Sequence, residues 1–373
     1  MIKNISWWEY DYFLRDCEFL ILGAGIVGLS TAIELLDREP DAKVTVIDSS
    51  GIYKGASTRN AGFACFGSPS ELLFDISENG EELCIELLRK RYQGLTILKE
   101  RIGSQIDYQE TGGVELPQSN SKFEYYLSKL PYLNDLISEA LGLQNCFSVQ
   151  EGFFGREIFN RWEGKLNPMK MIVGLENMVR EKGGRLLRGL DINSVDIKNK
   201  KLNTGIGEID YKNLVICTNG FTKEILPDID LLPARNQVLV SNPITSINLK
   251  SCYHMNEGYV YFRMVDHRLV IGGLRNLNIE NETTSNLGLT DEISGSLEQL
   301  ANKIMNGKLK EKLSFPIKWS GIMGVSKDKM PIIKDIGNNT YLGVKLGGMG
   351  VALGSYVARE LVNYITGCNT QEA

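Results

Sequence analysis

Three glycines, Gly23, Gly25 and Gly28, stand in the spacing G-x-G-x-x-G inside the stretch FLILGAGIVGLSTAIELL. That spacing strips side chains from a turn, so that main-chain N–H groups can touch a pyrophosphate. Gly23 permits the tight turn, Gly25 lets the phosphates reach the backbone, and Gly28 lets helix and strand pack closely. Ala24, Ile26 and Val27 lie between and belong to the same phosphate-facing turn. Twenty residues after Gly28 comes Asp48, with Ser49 beside it. An acid at that distance accepts hydrogen bonds from ribose hydroxyls.

Such a turn works only if its flanking elements aim it. EFLILG is a short continuous apolar run, the pattern of a buried parallel strand. LSTAIELLDRE carries helical periodicity, and AKVTVIDSS is a second apolar strand ending at Asp48. Together they make a βαβ unit whose helix N-terminus, with free N–H groups and partial positive charge, faces the phosphates. The unit by itself serves NAD as well as FAD.

Later stretches favour a flavin. GASTRNAGFACFGS is rich in small residues and turn formers. Its Ser57, Thr58, Arg59, Asn60, Ala61 and Gly62 can supply donors along a phosphate–ribityl chain and a flat ring. LVICTNG is an apolar strand ending in Thr218, Asn219 and Gly220; ligands of open α/β sheets sit beyond such strand ends. YLGVKLGGMGVALGSYVARELVNYI reads as strand, glycine loop and helix, with Ala358, Leu361, Val362 and Ile365 on one helix face. The amides around Gly348, Met349, Gly350, Val351 and Ala352 open that helix and favour negative charge, which a reduced flavin carries.

The chain has 373 residues, a length that points to about two domains. With 41 basic and 46 acidic residues its net charge is −5, which argues against a nucleic-acid surface or a polybasic membrane patch. Seven cysteines are scattered without a C-x-x-C pair or a His/Cys cluster, so the reading is reduced thiols in a cytoplasmic protein, with no disulfide frame and no metal site. The only histidines are His254 and His267. No secretory signal opens the chain, and no run of about 18 apolar residues spans a membrane. Trp7 and Trp8 are expected to pack a short leading helix onto the body, with a partner surface as the alternative.

In sequence order, the motifs resemble the D-amino acid oxidase/glycine oxidase family of FAD-dependent oxidoreductases over nearly the whole chain. The G-x-G-x-x-G turn and GASTRNAG are followed by GKLNPMKMIVGLENMVREKGGRLL, LVICTNGFT, LLPARNQVLVSNPI, GYVYFRMVDHRLVIGGLR, WSGIMGVSKDKMPII and LGGMGVALGSYVARELVNYI. The resemblance implies a Rossmann-like FAD-binding domain interleaved with an antiparallel-sheet α+β substrate domain, of the glutathione-reductase-2-like type. The first would use 1–90, 164–234 and 319–373, the second 91–163 and 235–318. The tracts TGGVELP, NQVLVSNPI, GYVYFRM and HRLVIGG, β-rich and bounded by turn residues, agree with an antiparallel sheet. SKFEYYLSKLPYLNDLISEALGL and DEISGSLEQLANKIM read as helices.

The resemblance also implies the reaction. An amine or amino acid would lose hydride from the carbon beside nitrogen to flavin N5, with O2 or another carrier as final acceptor. Ile192 and Gly321 join the implied cofactor contacts. Alternation places Tyr259, Tyr261 and Arg263 on one side of a strand, and the resemblance sets that hairpin over the flavin. Tyr259 or Tyr261 would be a hydroxyl and ring wall, and Arg263 or Arg275 an anion anchor. Met323 stands where amino-acid oxidases of the family often carry a carboxylate-gripping arginine. Ala352 and Gly321 stand where sarcosine-oxidase-like members have an oxygen-activating lysine and a flavin-bonding cysteine, so the FAD is expected to be non-covalent. Lys345, one step out of register, is expected to be structural. The alternatives are a 2-hydroxyacid dehydrogenase, an FAD-holding subunit of a larger dehydrogenase, and an NAD-dependent enzyme.

Overall fold

The computed structural model describes residues 5–368. The strand Phe19–Leu22 is buried at all four positions because it runs between two parallel neighbours, Val44–Asp48 and Asn213–Ile216. Covered on both faces, it has no reason to alternate polar and apolar residues. The six-stranded sheet has the order Ile332–Asp335, Thr340–Val344, Asn213–Ile216, Phe19–Leu22, Val44–Asp48, Arg185–Arg188, and only the first of these is antiparallel to its neighbour. On one face lie the helices Ile26–Arg38, Pro168–Glu181, Glu81–Ile102 and Gly350–Thr366, in one apolar core with the strands. The small sheet of Ile192–Asp196, Lys201–Thr204 and Gly207–Asp210 covers the other face through Leu202 and Ile209.

The eight-stranded sheet follows the order Ile317–Val325, Leu232–Pro243, Arg268–Gly273, Val260–Val265, Cys252–Met255, Gly113–Glu115, Gly155–Asn160, Phe147–Gly152. All pairs are antiparallel except Cys252–Met255 with Gly113–Glu115. The helix Asp291–Met305 packs Ile293, Leu297, Ala301 and Met305 against it. The chain enters and leaves each large sheet more than once, which is the interleaving the resemblance implies.

Two expectations need correcting. The strand Ile317–Val325 pairs along its length with Leu232–Pro243, so a boundary at 319 falls inside an element of the eight-stranded sheet. Trp7 and Trp8 form a helix, Trp7–Phe13, capped by Ser6 and Glu9, but neither packs inward: they are 60% and 77% exposed. Tyr10, Phe13 and the buried Leu14 make the contact with the body instead.

The motif arginine and glutamine of LLPARNQ serve the fold. Arg235 grips Glu282 with both ends of its guanidinium, at 2.9 and 3.0 Å, and Gln237 Nε2 donates to the same carboxylate at 3.1 Å and to Thr290 at 2.7 Å. Both charges are buried. Burial opposes the Glu282 charge, but Arg235, Thr290 and Gln237 hold its carboxyl below the ordinary value.

Candidate active site

A cavity of about 740 Å³ runs between the two large sheets, from Gly23, Gly25 and Asp48 to Tyr259, Tyr261, Arg275 and Met323. Its first end is made of main chain. Gly23 has φ +101° and donates its N–H to Ile47 at 2.8 Å; a Cβ there would lie 2.7 Å from the Cys217 carbonyl oxygen. A Cβ on Gly28 would lie 2.0 Å from the Gly23 oxygen. Gly28 therefore supports the turn from beneath and does not line the cavity. Ile26 N–H donates to Ser57 Oγ at 3.0 Å, which brings the second glycine-rich segment against the helix start. Asp48 accepts from Ala24 N–H at 2.9 Å and Ser50 N–H at 2.9 Å, and Arg188 Nη1 stands 3.6 Å from it. Arg188, which the sequence did not single out, also donates to the Ala24 carbonyl at 3.1 Å.

The middle of the cavity is a seam between lobes. Arg59 Nη1 donates to the Ser320 carbonyl at 2.9 Å, and Trp319 Nε1 donates to the Arg59 carbonyl at 2.8 Å. Asn60 Oδ1 accepts from Gly62 N–H at 2.8 Å, and its amide bonds back to Ala56 and Ser57. This pins the small-residue segment along the strand that carries Gly321. Gly348, at φ +83°, brings the final helix close to Met323: a Cβ would meet its Sδ at 3.2 Å.

Of the expected cofactor residues, the main-chain turn contributes Gly23, Gly25, Ile26 and Val27 to the lining, and Asp48 and Ser49 follow. Ser57, Arg59, Asn60, Ala61, Ile192, Thr218, Asn219 and Gly321 line the middle, and Gly348, Met349, Gly350, Val351 and Ala352 line the helix start. Five, besides Arg263, stand off the surface, each for a physical reason. Ala24 spends its N–H on Asp48 and its carbonyl on Arg188. Gly28 lies under the turn, and the Thr58 hydroxyl turns back to Gly55. Gly62 is wedged against the Leu166 carbonyl and Gly220 against that of Met323.

At the far end, Tyr259, Tyr261, Arg275 and Met323 line the cavity and Arg263 does not. The alternation places Arg263 on the same strand face, but one step further its guanidinium is buried and donates to the Leu166 carbonyl at 2.9 Å. It anchors the fold, not a ligand. Arg275 lies over the Tyr259 ring, 5.5 Å from its centroid, and makes no ion pair among the described residues. Asn236 Nδ2 donates to the Tyr261 hydroxyl at 3.0 Å, and burial pushes that hydroxyl's pKa well up, so it stays protonated. Lys345 lies off the cavity and binds Asp328 at 2.9 Å.

The structure adds wall residues that spacing could not reveal: Phe63, Cys65, Glu71, His254 and Lys329. The Phe63 ring meets Tyr261 and His254 edge-on, with centroids at 5.5 and 5.2 Å. Despite burial, Arg91 at 3.0 Å and Lys329 at 3.6 Å hold Glu71 below its ordinary pKa. Burial works against charge on His254, but Glu163 outweighs it and lifts the imidazole to about 9.

A parallel sheet with a glycine turn, an acid at the end of the next strand and an antiparallel sheet closing over one long cavity define a dinucleotide-dependent oxidoreductase. Within that class, a family model of FAD-dependent oxidoreductases matches residues 18–364, and this chain belongs to that family. L-proline dehydrogenase from P. horikoshii is 21% identical over 96% of both chains, with a TM-score of 0.72. Iminodiacetate oxidase from Chelativorans sp. BNC1 is 17% identical over 95% of this chain and 97% of its own, with a TM-score of 0.74. L-α-glycerophosphate oxidase from Mycoplasma pneumoniae, solved with FAD bound, is 12% identical over 95% of both chains, with a TM-score of 0.72. At these identities the likeness is one of fold. Comparison with curated proteins gives no match.

The residues present fit FAD. Bare main chain at Gly23 and Gly25 would meet a pyrophosphate and Asp48 a ribose, and the cavity continues to an aromatic wall with room for a second ring system. Among the described residues, no helix is long and apolar enough to cross a membrane.

Proposed function

We propose that the chain oxidises the C–N bond of an amine or amino acid. When bound, FAD supplies the two-electron acceptor for hydride leaving the carbon beside nitrogen. The observation that carries the reading is the wall of Tyr259, Tyr261, Phe63 and Met323 with the unpaired cation of Arg275 beside it. Apolar surroundings and a neighbouring positive charge both disfavour an ammonium. They hold the substrate as the neutral amine, which needs no protein base to give up hydride. Arg275 is then free to pair with a carboxylate, in place of the arginine absent at 323. Support comes also from similar structures named for amine substrates, among them iminodiacetate oxidase and L-proline dehydrogenase.

In this reading Tyr259 and Tyr261 position the substrate, the FAD is non-covalent, and the acceptor is O2 or a carrier. The amides at Gly350 and Val351, at the start of the last helix, would favour negative charge on a flavin held there. The protein works in the cytoplasm on a small molecule, without nucleic acid. A panel of secondary amines, D- and L-amino acids and 2-hydroxyacids, mixed anaerobically with the yellow protein, tests the proposal. Bleaching by amines supports it; bleaching by hydroxyacids alone overturns it. That second outcome is the competing reading, since an alcohol needs a base and His254 is an imidazole in the wall, but Glu163 holds it protonated at neutral pH. Against it, the imidazole Nε2 is directed at Glu163, 3.4 Å away.

A further inference from the structure

We propose that Cys65, Glu163 and His254 form a binding site for one divalent cation of the zinc class, set in the cavity wall. The sequence scatters these residues over 190 positions, and the fold gathers them from three segments: the turn after Phe63–Ala64, the turn before Gly164–Lys165, and the strand Cys252–Met255. One donor atom from each lies within 4.8 Å of the others. Thiolate, imidazole and carboxylate are the donors zinc takes.

The geometry is that of ligands awaiting an ion more than of a closed ion pair. Glu163 Oε1 is fixed by the N–H groups of Phe66 and Gly67, at 3.0 and 3.1 Å. That leaves Oε2 directed at His254 Nε2, 3.4 Å away, and Nε2 is buried with no hydrogen-bond partner. A charge-assisted N–H···O bond closes to about 2.7–2.9 Å. Two ligands on a tetrahedral zinc stand roughly 3.4 Å apart, given metal–ligand distances of about 2.0–2.2 Å. The two main-chain donors on Oε1 are the outer-shell support such a carboxylate needs. The Cys65 sulfur lies 3.8 Å from the Gly164 carbonyl and beside the Cys252 thiol.

Charge balances as well. Zn²⁺ with one thiolate and one carboxylate is neutral, which suits a site where Cys65 and Glu163 are 3% and 1% exposed. Binding releases the thiol proton and any imidazolium proton to solvent. Cys65 and His254 line the cavity while Glu163 lies behind them. Three protein ligands therefore leave a fourth position open to the cavity, for water or an anionic group of a bound molecule. The assignment does not rest on the C–N reading.

The test uses FAD-loaded protein carrying Cys368→Ser, which removes the exposed thiol. The protein is stripped with chelator, given one equivalent of Zn²⁺ and desalted, and its metal is measured against flavin absorbance. One zinc per chain is expected, and zinc-edge X-ray absorption should show a single sulfur among nitrogen and oxygen ligands. Cys65→Ser and His254→Gln should each weaken zinc binding more than about 100-fold, beyond the 10–100-fold typical of outer-shell changes. No retained zinc, a spectrum without sulfur or with two, or unchanged binding in both variants overturns the site. Should either variant lose its flavin or its fold, the absorption spectrum of the parent protein decides alone.

Discussion

The two ends of the cavity are built from different materials. At the nucleotide end the surface is main chain, kept bare by glycines whose missing Cβ atoms would land 2.0–2.9 Å from a neighbour. At the ring end it is side chains, delivered by Phe63, Cys65, His254, Tyr259, Tyr261, Arg275 and Met323 from separate segments. The first end fails by addition of atoms and the second by their subtraction. Damage at the first is damage to the fold, because turn, helix and strand share the same contacts. Damage at the second leaves the fold standing and changes what is bound.

The sharpest way to break this contrast is Gly28→Val. Its Cβ meets a carbonyl oxygen that cannot move without opening the turn. The cost should exceed about 4 kcal/mol, in the range kept for gross overpacking. Soluble yield and bound flavin should both collapse, while Gly295→Ala, in the helix Asp291–Met305 off the cavity and with nothing within 4 Å of its Cβ, should be neutral in the same assays. A normal yellow Gly28→Val protein would refute the packing role.

Next in size is Glu282→Ala. It strands the buried Arg235 charge, and loss of one partner of such a pair costs about 3–5 kcal/mol. Thermal unfolding should shift down accordingly. Because the folded carboxyl titrates below its ordinary value, its contribution is complete above about pH 4.3 and disappears as pH falls through the lower folded value. The stability gap between the parent and Glu282→Gln should therefore narrow in acid.

Arg275→Gln sharpens the other half of the comparison. Losing a charge-assisted contact worth about 1.5–3 kcal/mol should cut kcat/KM for a carboxylated amine roughly 10–100-fold. Flavin content should hold, and an amine without a carboxylate should lose less, its pH profile moving up as the ammonium is less disfavoured. Lys345→Met is the smallest effect. Its ammonium is tied to Asp328 away from the cavity, so turnover should change less than about twofold, or ~0.4 kcal/mol.

The materials also explain what could be read from the chain. A main-chain site needs consecutive residues, so Gly23, Gly25, Gly28 and Asp48 announce themselves by spacing. The alternation along the hairpin likewise puts Tyr259 and Tyr261 on a strand face that lines the cavity. It failed at Arg263 because period two fixes the face of a strand but not how far the cavity extends along it. Glu163 and His254 had no local signal. They are 91 residues apart in sequence, and only tertiary contacts such as Cys252 Sγ to the Gly164 carbonyl at 3.4 Å bring their segments together. The scarcity of histidine was a true count that said nothing about where one of the two would lie. The domain boundary at 319 cuts a strand for a similar reason: WSGIMG touches both lobes, through Arg59 on one side and Leu232–Pro243 on the other.

That strand, Ile317–Val325, works as a suture. It is hydrogen-bonded to one sheet for nine residues, while Gly324 accepts from Gly347 N–H at 3.0 Å and Gly220 closes on Met323 from the opposite lobe. Pulling the halves apart would tear main-chain bonds on both banks, so the molecule has no hinge there by which to admit a long dinucleotide sideways. Any motion that widens the cavity therefore has to pivot elsewhere in the molecule.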